Sequence, residues 1–426
     1  MKFKYVILLM ILPLFLNSLT LEEAERITQE KNKEIKIAQE NKAGSFSNYK
    51  SIKGNLYPQL SLSGSYGLAK TDVPDILPAG SMAEKEMPLN TVLSMNQILF
   101  SSDVFNGLKA AKVYNNINDT MLNVTVRNVL FQTRRLFNTA LLTKEIVVIH
   151  QEALEIANAQ YTRVSNMYEQ GLVSEYDKLR AELQVSELDP KLQEAMNNYQ
   201  LSIQALQNHL GDEVEISEIE GELTEPVMQK ISLDQAIKEG LDNRLELDAT
   251  QLNVDILDIQ YQNQKKSYLP SLALTGSITN FTATSDYEVE ADNFGNKYSI
   301  AVGFQMPLFT GFTNVNKANE YKYQLNSARL ETSVLYDNIK LEIKNHYLSL
   351  EKDKINITTA KKNRDLARRG LTIAEQMYAN QLGTYLDVQS AQLSYNQAQL
   401  NYISAVYSLI DSYESLLKAM GINFRS

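Results

Sequence analysis

The chain has 426 residues with no cysteine and no tryptophan, so disulfides, thiol nucleophiles, thiolate metal sites and a lipidated cysteine are excluded. Its 41 basic and 51 acidic residues leave a net charge of -10, which removes any electrostatic case for nucleic acid as a partner. A hydrophobic content of 44% argues against general disorder, and only 17 glycines and 9 prolines point to long regular elements.

Residues 1–20 read as a signal peptide: Lys2 and Lys4 precede an apolar run from Tyr5 to Leu16. That run is shorter than the roughly 20 residues a spanning helix needs. No stretch of 18 apolar residues follows it, so a membrane location would have to rest on β-strands.

From Leu21 the chain repeats itself. Leu21-Glu22-Glu23-Ala24 matches Leu233-Asp234-Gln235-Ala236 at an offset of 212, and Pro58 matches Pro270 at the same offset. Ile98-Leu99-Phe100 matches Pro307-Leu308-Phe309 at 209, and Tyr168 to Gly211 aligns with Tyr378 to Gly421 at 210. Blocks in one order with nearly one offset mean a duplication, with repeats at 21–220 and 221–426.

Each repeat reads as helix, β-hairpin, helix, helix. Apolar spacings of three and four predict helices over 21–56 and 231–267. Pro58 and Pro270 end them. Alternation then predicts strands over 58–70, 89–100, 270–281 and 298–309. Leu60, Leu62 and Tyr66 fall on one face, with Ser61, Ser63 and Ser65 on the other. Tyr298, Ile300, Val302 and Phe304 likewise alternate with Ser299, Ala301, Gly303 and Gln305. These lengths suit membrane strands. Four strands cannot close a barrel alone, so strands in lipid require other copies of the chain. Breaker-poor stretches predict helices over 101–167 and 311–377, each about 100 Å long, followed by helices over 168–210 and 378–421. Pro190 is expected to bend or interrupt the first of the shorter pair. The acidic segment 211–230 links the halves, and its carboxylates read as a solvated face.

No catalytic constellation appears. His150, His209 and His346 are isolated, no metal-ligand spacing occurs, and no nucleotide-binding glycine motif is present. No cofactor and no metal is therefore expected, and the chain is not expected to be an enzyme.

The repeat, the paired hairpins and the long helices resemble the TolC family of outer-membrane efflux proteins over about residues 20–421. The resemblance is carried by Tyr57-Pro58 and Leu269-Pro270 at the helix-to-strand step, and by Pro307-Leu308-Phe309-Thr310-Gly311 at the strand exit. A tip motif adds Tyr168, Gly171, Ser174, Asp177 and Ala181, and in the second copy Tyr378, Thr384, Asp387 and Ala391. The resemblance implies a helix-dominated membrane protein with a β-barrel part. Three protomers of four strands each would close a twelve-stranded barrel in the Gram-negative outer membrane, continuing into a helical tunnel in the periplasm. It further implies an exit duct of a tripartite efflux pump or type I secretion system, working with a periplasmic adaptor protein and an inner-membrane pump. Gly171, Leu172, Val173 and Ser174, with Gln381, Leu382, Gly383 and Thr384, would be the adaptor-docking tips. Asp387 and Ser390 stand where the family carries two entrance aspartates, so only the first carboxylate is kept. Gln381 replaces the turn glycine, which predicts a different turn in the second copy. The alternative is a soluble or surface-attached trimeric coiled-coil protein with a structural or adhesive role.

Overall fold

The computed structural model describes residues 19–67, 89–211, 214, 216–282, 292 and 294–422. The elements are α1 (Leu21–Lys31), α2 (Lys33–Gly54), β1 (Gln59–Tyr66), β2 (Leu89–Phe100), α3 (Ser102–Glu169) and α4 (Glu175–Leu210). The same series follows as α5 (Leu233–Asn243), α6 (Leu245–Lys265), β3 (Ser271–Thr282), β4 (Phe294–Gln305), α7 (Thr313–Ala379) and α8 (Tyr385–Ala419). Most of the expected signal segment lies outside the described residues. Its last two residues belong to the fold. Leu19 is buried and bridges to Ile219, and Thr20 accepts the Glu23 N–H as N-cap of α1.

Two expected helices are each split. The stretch 21–56 breaks at Asn32 (φ -59°, ψ 133°) and the stretch 231–267 at Arg244 (φ -75°, ψ 106°). Both side chains at the breaks donate to a carbonyl at the end of the last helix of their own repeat. Asn32 reaches His209 O at 2.6 Å, and Arg244 reaches Ala419 O at 3.3 Å. The Asn32 side chain also accepts the Glu34 and Ile35 amides, capping α2. A tertiary bond to an orphan helix-end carbonyl thus overrides the helical pattern. Pro190 does not interrupt α4, which runs unbroken from Glu175 to Leu210. Pro190 and Ser186, whose carbonyl loses its helical partner, both sit at exposed positions, open to water.

The strands form one antiparallel sheet in the order β1-β2-β3-β4. Sequence alternation found the two hairpins but not their joining: β2 of the first repeat pairs with β3 of the second, from Asn90 opposite Phe281 to Phe100 opposite Leu272. Strand β4 starts four residues before the expected 298 and stops at Gln305, short of Pro307. The expected residues 68–70 of the first strand lie outside the described chain.

The described residues fall into two compact units, and neither coincides with a repeat. One takes the chain up to Gln39, Leu122–Leu247 and the part from Leu335 on. Its core holds two clusters on equivalent residues. Ala24, Ala140, Leu206 and Leu210 serve the first repeat, and Ala236, Leu350, Leu416 and Met420 the second. The other unit takes Glu40–Met121 and Asp248–Val334 and contains the sheet. There Val254, Leu325 and Ala328 form a small core between helices. Among the described residues no helix is long and apolar enough to cross a membrane.

Candidate functional site: a two-faced sheet and two helix tips

The sheet register sorts side chains into two chemistries. Leu62, Leu93, Ile278 and Tyr298 lie opposite one another across all four strands, as do Leu60, Met95, Gly276 and Ile300. This apolar face is uncovered: Leu60, Leu62, Ile300 and Phe304 are 70–77% exposed. A sheet in water buries such a face; its exposure suits hydrocarbon. On the other face Ser61, Ser94, Ser277 and Ser299 form one row. The hydroxyls of Ser61 and Ser94 are 2.7 Å apart, as are those of Ser277 and Ser299. Asn96, Thr275 and Thr279 continue this face, and Lys297 adds a charge. Within the described chain β1 and β4 each pair on one side only, leaving two free edges.

The junction residues sit where the sheet meets helices. Pro58 and Pro270 each stand one residue before a strand, β1 and β3. Gln97 donates to Leu56 O at 2.8 Å and ties β2 to the first junction. Asn263 clasps α6 to α3: its amide donates to Asp103 at 2.8 Å and its oxygen accepts from Asn106 at 2.8 Å. Pro307 follows β4, and Gly311 supplies a left-handed turn (φ 61°). Sequence reasoning missed Phe312, which also adopts a left-handed conformation (φ 64°). That costs about 1–2 kcal/mol in a bulky residue. The turn packs its ring edge-on to Phe309 at 5.5 Å, and both rings are exposed. Aromatic rings just outside an apolar strand band are what a membrane interface collects.

Each tip is a turn between two long helices. The Gly171 N–H donates to Tyr168 O at 2.9 Å and the Leu172 N–H to Met167 O at 2.9 Å. The Gln381 N–H donates to Tyr378 O at 3.0 Å and the Leu382 N–H to Met377 O at 2.8 Å. These are the same helix-ending bonds, so the different turn expected for the second copy is not found. Gln381 takes the left-handed position (φ 59°) that Gly171 fills (φ 73°). Ser174 and Thr384 then start α4 and α8 with matching capping boxes. Asp387 Oδ2 accepts from Thr384 N at 2.8 Å and Thr384 Oγ1 at 2.6 Å, while the Asp387 N–H donates to Thr384 Oγ1 at 3.3 Å. The tip motif is thus a helix stop followed by a helix start. Asp387 and Ser390 lie at exposed positions. Hydrogen bonds from the Thr384 hydroxyl, then its backbone, hold the Asp387 carboxyl below its usual range.

Behind the turns Val164, Ala181 and Tyr385 form a buried cluster with Val173 and Tyr378 against it. Burial pushes the Tyr385 hydroxyl up to about 12. Leu172 and Leu382 point away, 57% and 74% exposed. Among the described residues no group of His, Asp and Glu could hold a metal ion.

Comparison with known proteins places this geometry. The sequence profile described as "Outer membrane efflux protein" matches residues 26–212 and again residues 236–422, one match per repeat. The outer membrane efflux protein BepC of Brucella suis is 23% identical over 373 residues, covering 84% of this chain and 74% of that protein. Among solved structures, the CmeC outer membrane channel of Campylobacter jejuni superposes with a TM-score of 0.79 at 16% identity, covering 95% of this chain and 87% of CmeC. The outer membrane protein VceC of Vibrio cholerae gives 0.75 at 15% identity, over 95% and 97% of the two chains. The open-state MtrE outer membrane channel of Neisseria gonorrhoeae gives 0.74 at 16% identity, over 95% and 89%. The family is one of channels rather than enzymes, and its fold is the helix-dominated, four-stranded one found here. This chain belongs to the outer membrane efflux protein family and is a protein of the outer membrane.

Proposed function

We propose that three copies of this chain close one twelve-stranded barrel, and that the trimer is a passive exit duct for a tripartite efflux pump or a type I secretion machine. The observation that carries this reading is the two-faced sheet with two free edges. Unmatched edge amides and carbonyls are intolerable in hydrocarbon, so β1 of one copy must meet β4 of the next. The apolar face then meets outer-membrane lipid and the serine row faces the lumen. A coiled-coil structural protein has no use for such a sheet. The resemblance to the TolC family supplies the number three and the partners, a periplasmic adaptor and an inner-membrane pump. That pump supplies the energy and choice of substrate.

The tips have two roles in this reading. Leu172 and Leu382, on turns built by Gly171, Val173, Ser174, Gln381, Gly383 and Thr384, offer the adaptor an exposed apolar contact. Asp387, kept ionised by its cap, gathers with its copies beside Ser390 into one acidic ring that favours cations at the entrance. The test is the subunit count and conductance of the purified protein in a planar bilayer. A monomer without conductance overturns the duct. In a conducting trimer Asp387→Asn is expected to lower cation preference, and an unchanged preference removes the ring.

A further inference from the structure

Arg134 of α3 lies between two carboxylates from different helices. Its Nε donates to Glu25 of α1 and its Nη1 lies 3.4 Å from Glu414 of α8. All three side chains are largely buried, at 17%, 12% and 11% exposure. Beside them Arg135 meets Asp411 at 3.3 Å and Thr139 meets the Tyr407 hydroxyl at 3.0 Å, so a polar seam joins α3 to α8. The cluster is not part of the duplicated design. Its repeat equivalents are Ile237, Lys344 and Gln204, which cannot form it. It exists only where helices of the first repeat meet the last helix of the second.

We propose that Glu25, Arg134 and Glu414 form a proton-operated latch on the α1–α3–α8 seam, closed when one carboxylate is protonated and loosened when both are charged. The argument is a charge count in a buried place. One guanidinium balances one carboxylate; a second ionised carboxylate leaves one buried negative charge. Among the described residues the other charged groups facing the pair do not cancel it. Asp411 is matched by Arg135, and Glu22 on α1 adds a further negative charge. Burial pushes Glu414 up to about 7, against the pull of Arg134, and burial also raises Glu25. A carboxyl raised in the folded state costs that state nothing below its ordinary value; the cost grows as pH climbs from there to the folded value and is constant above it. The latch is therefore tight in acid, loosens progressively as pH rises from the ordinary carboxylate range to about 7, and is loosest above it. It acts on the seam between these helices and does not depend on the duct reading.

Because the chain has no cysteine, one introduced thiol reports on one place. Ser412→Cys is a near-isosteric change at a position 7% exposed on α8. Its maleimide labelling rate is measured in the full mature protein from about pH 5.5 to about pH 8.5, alone and combined with Glu414→Gln. The ratio of the two rates cancels the titration of the thiol itself. The ratio is expected to rise by up to about tenfold per pH unit below about pH 7, the limit for release of one proton, and to level off above it. Glu25→Gln leaves one carboxylate per guanidinium and is expected to flatten the rise. A ratio that ignores pH overturns the latch, and so does a rise that persists in Glu25→Gln. If Glu414→Gln does not assemble, the ratio taken against Glu25→Gln decides in the same way.

Discussion

The first and second repeats hold one backbone arrangement with opposite side-chain chemistry. In the first, Thr28, Thr133 and His209 form a polar string: the two hydroxyls are 3.0 Å apart and Thr133 lies 3.1 Å from the His209 ring. At equivalent positions the second repeat has Gly240, Ile343 and Ala419, an apolar contact in which an added Cβ at Gly240 would meet Ile343 at 2.3 Å. What both keep lies at the level of the backbone. Gly211 packs on Lys31, and Gly421 packs on Asn243. In both repeats the break in the first helical stretch is fastened to the end of the last helix. Close backbone approach and a bonded helix end define this joint; the side chains that fill it are exchangeable so long as they match each other.

The most damaging way to break this correspondence is at the shared glycines. In Gly421→Ala the new Cβ would lie 2.7 Å from Asn243 O on a left-handed backbone (φ 70°). The expected loss is about 3 kcal/mol in the unfolding of the helical signal, combining backbone strain with overpacking. Thr133→Val in the first repeat cuts the polar string and removes the bonds of Thr133 to Thr28 and His209, which keep Ala24 O and Val129 O as partners; two bonds at about 1 kcal/mol each give about 2 kcal/mol lost. Its counterpart Ile343→Val trims one methyl and is expected to cost about 1 kcal/mol. If the two cost the same, the polar string adds nothing that the apolar contact lacks. At the tips Thr384→Ala removes a cap and is expected to cost about 1 kcal/mol by the same measurement, as is Ser174→Ala. Gln381→Gly makes the two turns alike and is expected to raise stability by about 0.5–1 kcal/mol. A loss there would mean that the glutamine side chain does work the turn conceals.

The helices, the hairpins and the two faces of the sheet were legible because each is a local period in the sequence. Leu60, Leu62 and Tyr66 declare a strand face by themselves. The breaks at Asn32 and Arg244 were not legible, because the deciding bond comes from His209 or Ala419, far along the chain. The pairing of β2 with β3 hid for the same reason: neither strand carries a mark of its distant neighbour. Gln381 misled because glycine preference is a cost of about 1 kcal/mol, which the flanking helices and the Thr384 cap outweigh. At the tips the motif residues were found, and the bonds show Asp177 and Asp387 to be capping groups.

The free outer edges of β1 and β4 also set the order of events in making this protein. A solitary chain would have to carry the open amides and carbonyls of β1 and β4 into hydrocarbon, each costing several kcal/mol. If copies of the chain close the barrel as proposed, insertion waits for encounter. The yield of membrane-embedded protein should climb more steeply than in proportion to chain concentration, and a chain synthesised in isolation should linger in water, dependent on chaperones to keep two sticky edges apart.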